Sequence, residues 1–317
     1  LRPVFGLTGS VLFPVCFSSR SRKFLPWMRS CVWQCIKPMN RGMTAKSPEN
    51  RKQNYYTYRG ICCQEDTLPC RTAARGPPLK ARNMQFCHIE GPDKRGIDCA
   101  LLYNPALFTV KNTRLVPYVQ ELAKDSAYKT RGFLTVRGEL AGEDVAVIVC
   151  HWPSRFSGSF YRESGARQAK VVKDSLLRLN PEMKVFVMGD MNDDPTNASM
   201  HKVLKAKAEI SEVGADDMYN PWYNILAKEG KGTLFYSGSW NLFDQIVITP
   251  NLLNRDSKNK DYSSLKFWKN HIFRRDYLIQ QEGQYKGAPL RTKAGGRWLN
   301  GYSDHLPVVM YLVKEKK

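Results

Sequence analysis

Two histidines, three aspartates and an asparagine sit where apolar runs of the chain begin or end. His151 follows Asp144 to Cys150, Asp190 and Asn192 follow Val185-Phe186-Val187-Met188-Gly189, Asp244 lies early in Phe243 to Thr249, and Asp304 with His305 precedes Leu306 to Val313. Together these types suit hydrolysis of a phosphate ester. A carboxylate is an acceptor only, so it holds a hard cation or orients a water. The neutral amide of Asn192 donates to a phosphoryl oxygen without repelling it. A histidine oriented by a second carboxylate takes a proton from water. Each residue alone also has a plainer reading, as a polar turn after a core strand or an exposed strand-end side chain.

The elements around them must bring them together. Val185 to Met188 reads as a buried strand that Gly189 ends with a sharp turn, and Asp144 to Cys150 is nearly continuous Val, Ile and Ala, as in a strand covered on both faces. Further strands are expected over Ile97 to Tyr103, Phe108 to Val116, Gly132 to Leu140, Thr233 to Tyr236, Phe243 to Thr249 and Leu306 to Val313. Arg162 to Leu179 is the best helix signal, with Ala166, Ala169, Val172, Leu176 and Leu179 three or four apart and Asn180-Pro181 as the stop. Thr196 or Asn197 is expected to cap a short helix through Leu204. Residues 251–300 read mainly as an insertion or binding loop. In a layered α/β protein, strand ends on one edge share a crevice, so the site residues can meet despite their separation in sequence.

Length and composition leave room for this. A chain of 317 residues with 42% apolar content fills one large core, and no apolar run approaches a membrane span. The net charge of +20 is uneven, because residues 1–86 hold 15 Lys and Arg against 3 acids and leave +8 to the rest. Seven of the nine cysteines also lie in the first 87 residues, without a CxxC pair or an earlier histidine to complete a zinc site. That first segment lacks sustained periodicity and contains eight prolines. It reads as a disordered basic arm, as a malformed first part of the domain, or as a stretch in a different frame from an intact relative. Its start carries no small-x-small cleavage site, so localisation stays open. The chain therefore divides into an atypical segment 1–86 and a domain 87–317.

The set His151-Trp-Pro-Ser-Arg155, Gly189-Asp190-Met-Asn192, Phe243-Asp244-Gln-Ile246 and Ser303-Asp304-His305-Leu-Pro307 resembles the endonuclease/exonuclease/phosphatase (DNase I-like) superfamily in order and spacing. The resemblance runs from about Gly91 to Val313. It implies a four-layer α/β/β/α sandwich, two mixed sheets flanked by helices, and a Mg²⁺- or Mn²⁺-dependent phosphodiester hydrolase. It implies His305 as the proton-transfer histidine polarised by Asp244, and Asp304 as a metal ligand. Asp190 and Asn192 would place water, metal and phosphate, and His151 would bind phosphoryl oxygens. Arg155 and Arg162 would contact phosphate, a guanidinium being able to pair with two of its oxygens. The chain departs from the family at its start. No strand ending in Asn is evident there, and Gln64-Glu65 is the one candidate for the family's metal-binding Glu. Nucleic acid is the first substrate expected, because Phe267 to Arg275 interleaves aromatic and basic residues. A phosphomonoesterase, a lipid phosphodiesterase and a silent nucleic-acid-binding relative remain alternatives.

Overall fold

Alternation along two adjacent strands decides the layering. In β6 (Glu143–His151), Val145, Val147 and Val149 enter one apolar cluster while Ala146, Ile148 and Cys150 enter another. In β7 (Lys184–Asp190), Phe186 and Met188 divide from Val185 and Val187 in the same way. Successive strand side chains point to opposite faces, so a strand apolar on both must be covered on both. The computed structural model describes residues 12–16, 83–94, 96–121, 128–256 and 258–315.

These two strands lie at the middle of a seven-stranded mixed sheet. Its order is β4 (Phe108–Val116), β5 (Phe133–Leu140), β6, β7, β12 (Asp244–Ile248), β9 (Met218–Tyr219), β8 (Ala206–Lys207). One face carries α1 (Ser159–Leu179), whose Ala166, Ala169, Val172 and Leu176 are buried. Burying a Val or Leu side chain stabilises by about 1.5–3 kcal/mol, so a single apolar stripe is enough to dock this helix. Leu179, expected in that stripe, is 70% exposed at the last turn. Gly165 lets α1 approach closely, since a Cβ there would lie 3.2 Å from the ring of buried Trp152.

The other face packs against a second layer of strands. One part is β1 (Leu12–Cys16), β3 (Cys99–Tyr103) and β2 (Gln85–His88), in the order β1-β3-β2. The other is the antiparallel pair β13 (Lys266–Ile272) and β16 (Val308–Val313), while β10 (Leu234–Tyr236) with β11 (Ser239–Asn241) and β14 (Lys293–Ala294) with β15 (Arg297–Trp298) form separate two-stranded pairs. Leu101, Val308 and Met310 share a core with the β6 and β7 residues. The fold is thus an α/β sandwich. Among the described residues, α1 is the one helix longer than five residues. In the segment 1–86, only residues 12–16 and 83–86 are described, and the pairing of β1 with β3 was not expected from its sequence.

Two expectations are refined. Residues 251–300 are mainly turn and loop, as expected, but Lys266–Ile272 within them forms the strand that pairs with β16. Its apolar residues are fewer than a two-faced core strand would need, since Trp268 lies exposed and only Phe267, against Tyr219, and Ile272 pack onto the core. The short helix is a single π-type turn over Ser199–Val203, and its N-cap is Ala198. The Asn197 side chain instead accepts from the Asp194 backbone N–H at 2.7 Å and closes the turn before it.

Candidate active site

Strand register assembles the site. Parallel pairing of β6 with β7 sets His151 beside Asp190, and antiparallel pairing of β7 with β12 sets Asp190 beside Asp244. Because β12 runs opposite to β7, its first residue reaches the edge where β6 and β7 end. A bridge between Leu234 and His305 brings in the segment before β16. His151, Asp190, Asp244 and His305 therefore line one edge, although 154 positions separate the first from the last.

Gly189 makes this register attainable. Its φ of +143° and its closeness to β6 leave no room for a side chain, since a Cβ would fall 1.8 Å from the Cys150 carbonyl oxygen. Beyond it, Asn192 takes a left-handed φ of +50°, which asparagine tolerates better than most residues. Its backbone N–H donates to Asp190 Oδ1 at 2.8 Å, and its Nδ2 donates to the Trp152 carbonyl at 2.9 Å.

His305 Nδ1 lies 2.9 Å from Asp244 Oδ2, with the aspartate fully buried and the imidazole nearly so. The His305 backbone N–H donates to Ser303 Oγ at 3.1 Å. Burial opposes charge on the imidazole, but Asp244, through its charge and hydrogen bond, and then Asp190 and Asp304 outweigh it, so His305 is raised to about 10. Burial, with repulsion from Asp244, raises Asp190 to about 6 against the pull of His305. His151 Nε2 sits 3.6 Å from Asp190 Oδ2. Asp304 is half-buried next to His305.

The two arginines brace the site. Arg162 is buried, its Nε 2.8 Å from Asp193 Oδ1 and its Nη1 donating to the carbonyls of Ser154 and Gly158. Arg155 reaches Asp194 at 2.9 Å, Asn197 at 3.1 Å and Asn241 at 3.0 Å, with its guanidinium over the Phe243 ring. These donors meet protein acceptors, a geometry that spacing alone did not disclose. Asp193 and Asp194, which no sequence signal singles out, anchor that brace. Asp193 also accepts from Ser199 Oγ at 2.7 Å, and Asp194 from the Leu242 N–H at 2.6 Å.

The carboxylates are of the hard-oxygen kind that Mg²⁺ prefers. Among the described residues, however, no three His, Cys, Asp or Glu side chains gather closely enough to hold an ion. Glu65 and its neighbour Gln64 lie outside the described residues. The described donors alone thus do not complete a metal site.

A model of the Endonuclease/Exonuclease/phosphatase family matches residues 52–314. The chain belongs to that family. Family members are usually hydrolases of phosphoesters, in keeping with a carboxylate and histidine site at one sheet edge. No curated protein sequence matches the chain. Among solved structures, a family protein from Bacteroides thetaiotaomicron is 13% identical, with 97% of this chain and 99% of that one covered and a TM-score of 0.49. A humanized D. rerio TDP2 is 14% identical, with 84% and 93% covered and a TM-score of 0.49. The human Nocturnin catalytic domain is 15% identical, with 60% and 65% covered and a TM-score of 0.40. The chain thus spans 65% of that Nocturnin structure. Among the described residues, no helix of this family member is long and apolar enough to cross a membrane.

Proposed function

We propose that the chain is a phosphodiester hydrolase, most plainly a nuclease, in which water attacks phosphorus in line and His305 handles the proton. The observation that carries this reading is the 2.9 Å contact of His305 with buried Asp244, set by register next to Asp190. A carboxylate on Nδ1 fixes the ring and leaves Nε2 for the reacting oxygen. Asp190 orients the attacking water. The amide of Asn192 and the ring of His151 donate to phosphoryl oxygens as charge builds on them. Arg155 remains a phosphate contact through its exposed edge, whereas Arg162 is assigned to bracing.

The metal is part of the proposal. Asp190 and Asp304, with Glu65, would hold Mg²⁺ or Mn²⁺, and such an ion neutralises phosphoryl charge when bound. Support for nucleic acid is the balance of +8 beyond residue 86 and the exposed Trp268 with Lys269 Nζ 4.3 Å over its ring. Plasmid nicking in Mg²⁺ is the direct test, with a sphingomyelin-like diester and a sugar phosphate in parallel. Nicking supports the nuclease. Turnover of another ester alone moves the chain to a phosphomonoesterase or lipid phosphodiesterase. DNA binding without turnover of any phosphoester leaves the silent binding relative and sinks the enzyme.

A further inference from the structure

Arg131 is buried just ahead of β5, and its guanidinium meets three acceptors. Nε donates to the His151 carbonyl at 3.2 Å, Nη2 to the Trp152 carbonyl at 2.8 Å, and Nη1 pairs with buried Asp93 at 3.1 Å. Two successive carbonyls on one guanidinium are unusual in extended chain, where neighbouring C=O groups point opposite ways. The fork therefore fixes the bend at which β6 ends. The Trp152 carbonyl also accepts Asn192 Nδ2 at 2.9 Å, so both of its lone pairs are engaged, one by Arg131 and one by the Asn192 amide. The Trp152 N–H donates to the Asp190 carbonyl at 3.0 Å and ties the same bend to β7.

A buried ion pair is weak evidence for stability, because desolvation takes back most of its attraction. Resting on the hydrolase reading, we infer that Arg131 is a positioning residue for phosphate recognition: it sets the Trp152 carbonyl that orients the Asn192 amide and the backbone that carries His151. Arg131 does not touch substrate. It acts through Trp152. Without it, the Trp152 carbonyl keeps the Asn192 amide as its one side-chain partner, and that pair loses its fixed geometry.

The test compares Arg131→Met and Arg131→Lys with the wild-type chain, using the Asn192 side-chain amide signals in a ¹H–¹⁵N spectrum and steady-state hydrolysis of a phosphodiester. Arg131→Met should shift and broaden the Asn192 signals and lower kcat per folded molecule about 10–100-fold, with KM within about threefold. Arg131→Lys should recover part of the loss. In an Asn192→Ala background the same Arg131→Met change should cost little, because the group it positions is gone. Unmoved Asn192 signals, or additive losses in that cycle, would overturn the inference. Should Arg131→Met fail to fold, Arg131→Met with Asp93→Leu removes both buried charges and is read in the same way. If the wild type hydrolyses nothing, the hydrolase reading fails, while the Asn192 signals still decide the role of Arg131.

Discussion

Asp190 and Asp244 face each other across β7 and β12, two buried carboxylates in register at the open edge of one sheet, and His305 is bound to the second of them. Two such acids side by side repel unless a cation sits near them. His305, 2.9 Å from Asp244 and with its pKa raised to about 10, supplies that positive charge when protonated. This charge arrangement governs how the site should respond to pH and to substitution.

The His305 imidazole should titrate close to 10, followed by its ring resonances in NMR. In Asp244→Asn the midpoint should fall by several units, since burial remains and the nearest counter-charge is gone. A folded value raised above the ordinary 6.5 stabilises below that pH and is lost as pH rises through about 10. The stability gap between the wild type and His305→Gln, measured by urea denaturation, should therefore be widest near neutrality or below and close toward pH 10. A gap that widens at high pH contradicts this.

Asp190 should show linkage of the same sign over a more acidic range. Its folded value, raised to about 6, means that burying the ionised carboxylate costs stability above that pH, by about 3 kcal/mol for a shift of roughly two units. In chelator-treated protein, Asp190→Asn should be more stable than the wild type at pH 8 and nearly equal to it at pH 4. The same variant should lose hydrolysis. Lower stability at pH 8 would mean that the carboxylate is better paired than its surroundings indicate.

Gly189→Ala should be among the most damaging single changes. A Cβ 1.8 Å from a backbone oxygen cannot be relieved by a side-chain shift, so β6 and β7 must part just ahead of His151 and Asp190. A loss of about 4 kcal/mol or more, or insoluble protein, is expected. Gly165→Ala, at 3.2 Å from the Trp152 ring, should cost less. Denaturation midpoints of the two variants order the effects.

What the sequence discloses follows from how local each signal is. The β6 and β7 strands are legible because long apolar runs need no distant partner to be recognised, and their ends mark His151 and Asp190. The helix is legible for a similar reason, though its start at Ser159 lies three residues ahead of the first expected position. β13 is not legible. Its residues Lys266–Ile272 are half-buried or exposed, and only pairing with β16 makes them a strand. Arg131 and Asp93 escape for the same reason, since a lone arginine and a turn acid acquire meaning only when folding sets them 3.1 Å apart. The bracing by Arg162 depends on Asp193, a contact that only folding brings about. The proposed ligand Glu65, carried over from the resemblance, lies outside the described residues.

The most direct measurement is Mg²⁺-dependent plasmid cleavage by the wild type, His305→Ala, Asp244→Asn and the double variant, each normalised to folded protein. If His305 and Asp244 act as one proton-transfer unit, each single change lowers the rate by about 10²–10⁴-fold and the double variant is no worse than His305→Ala. Full activity in His305→Ala, or losses that simply multiply in the double variant, would contradict it.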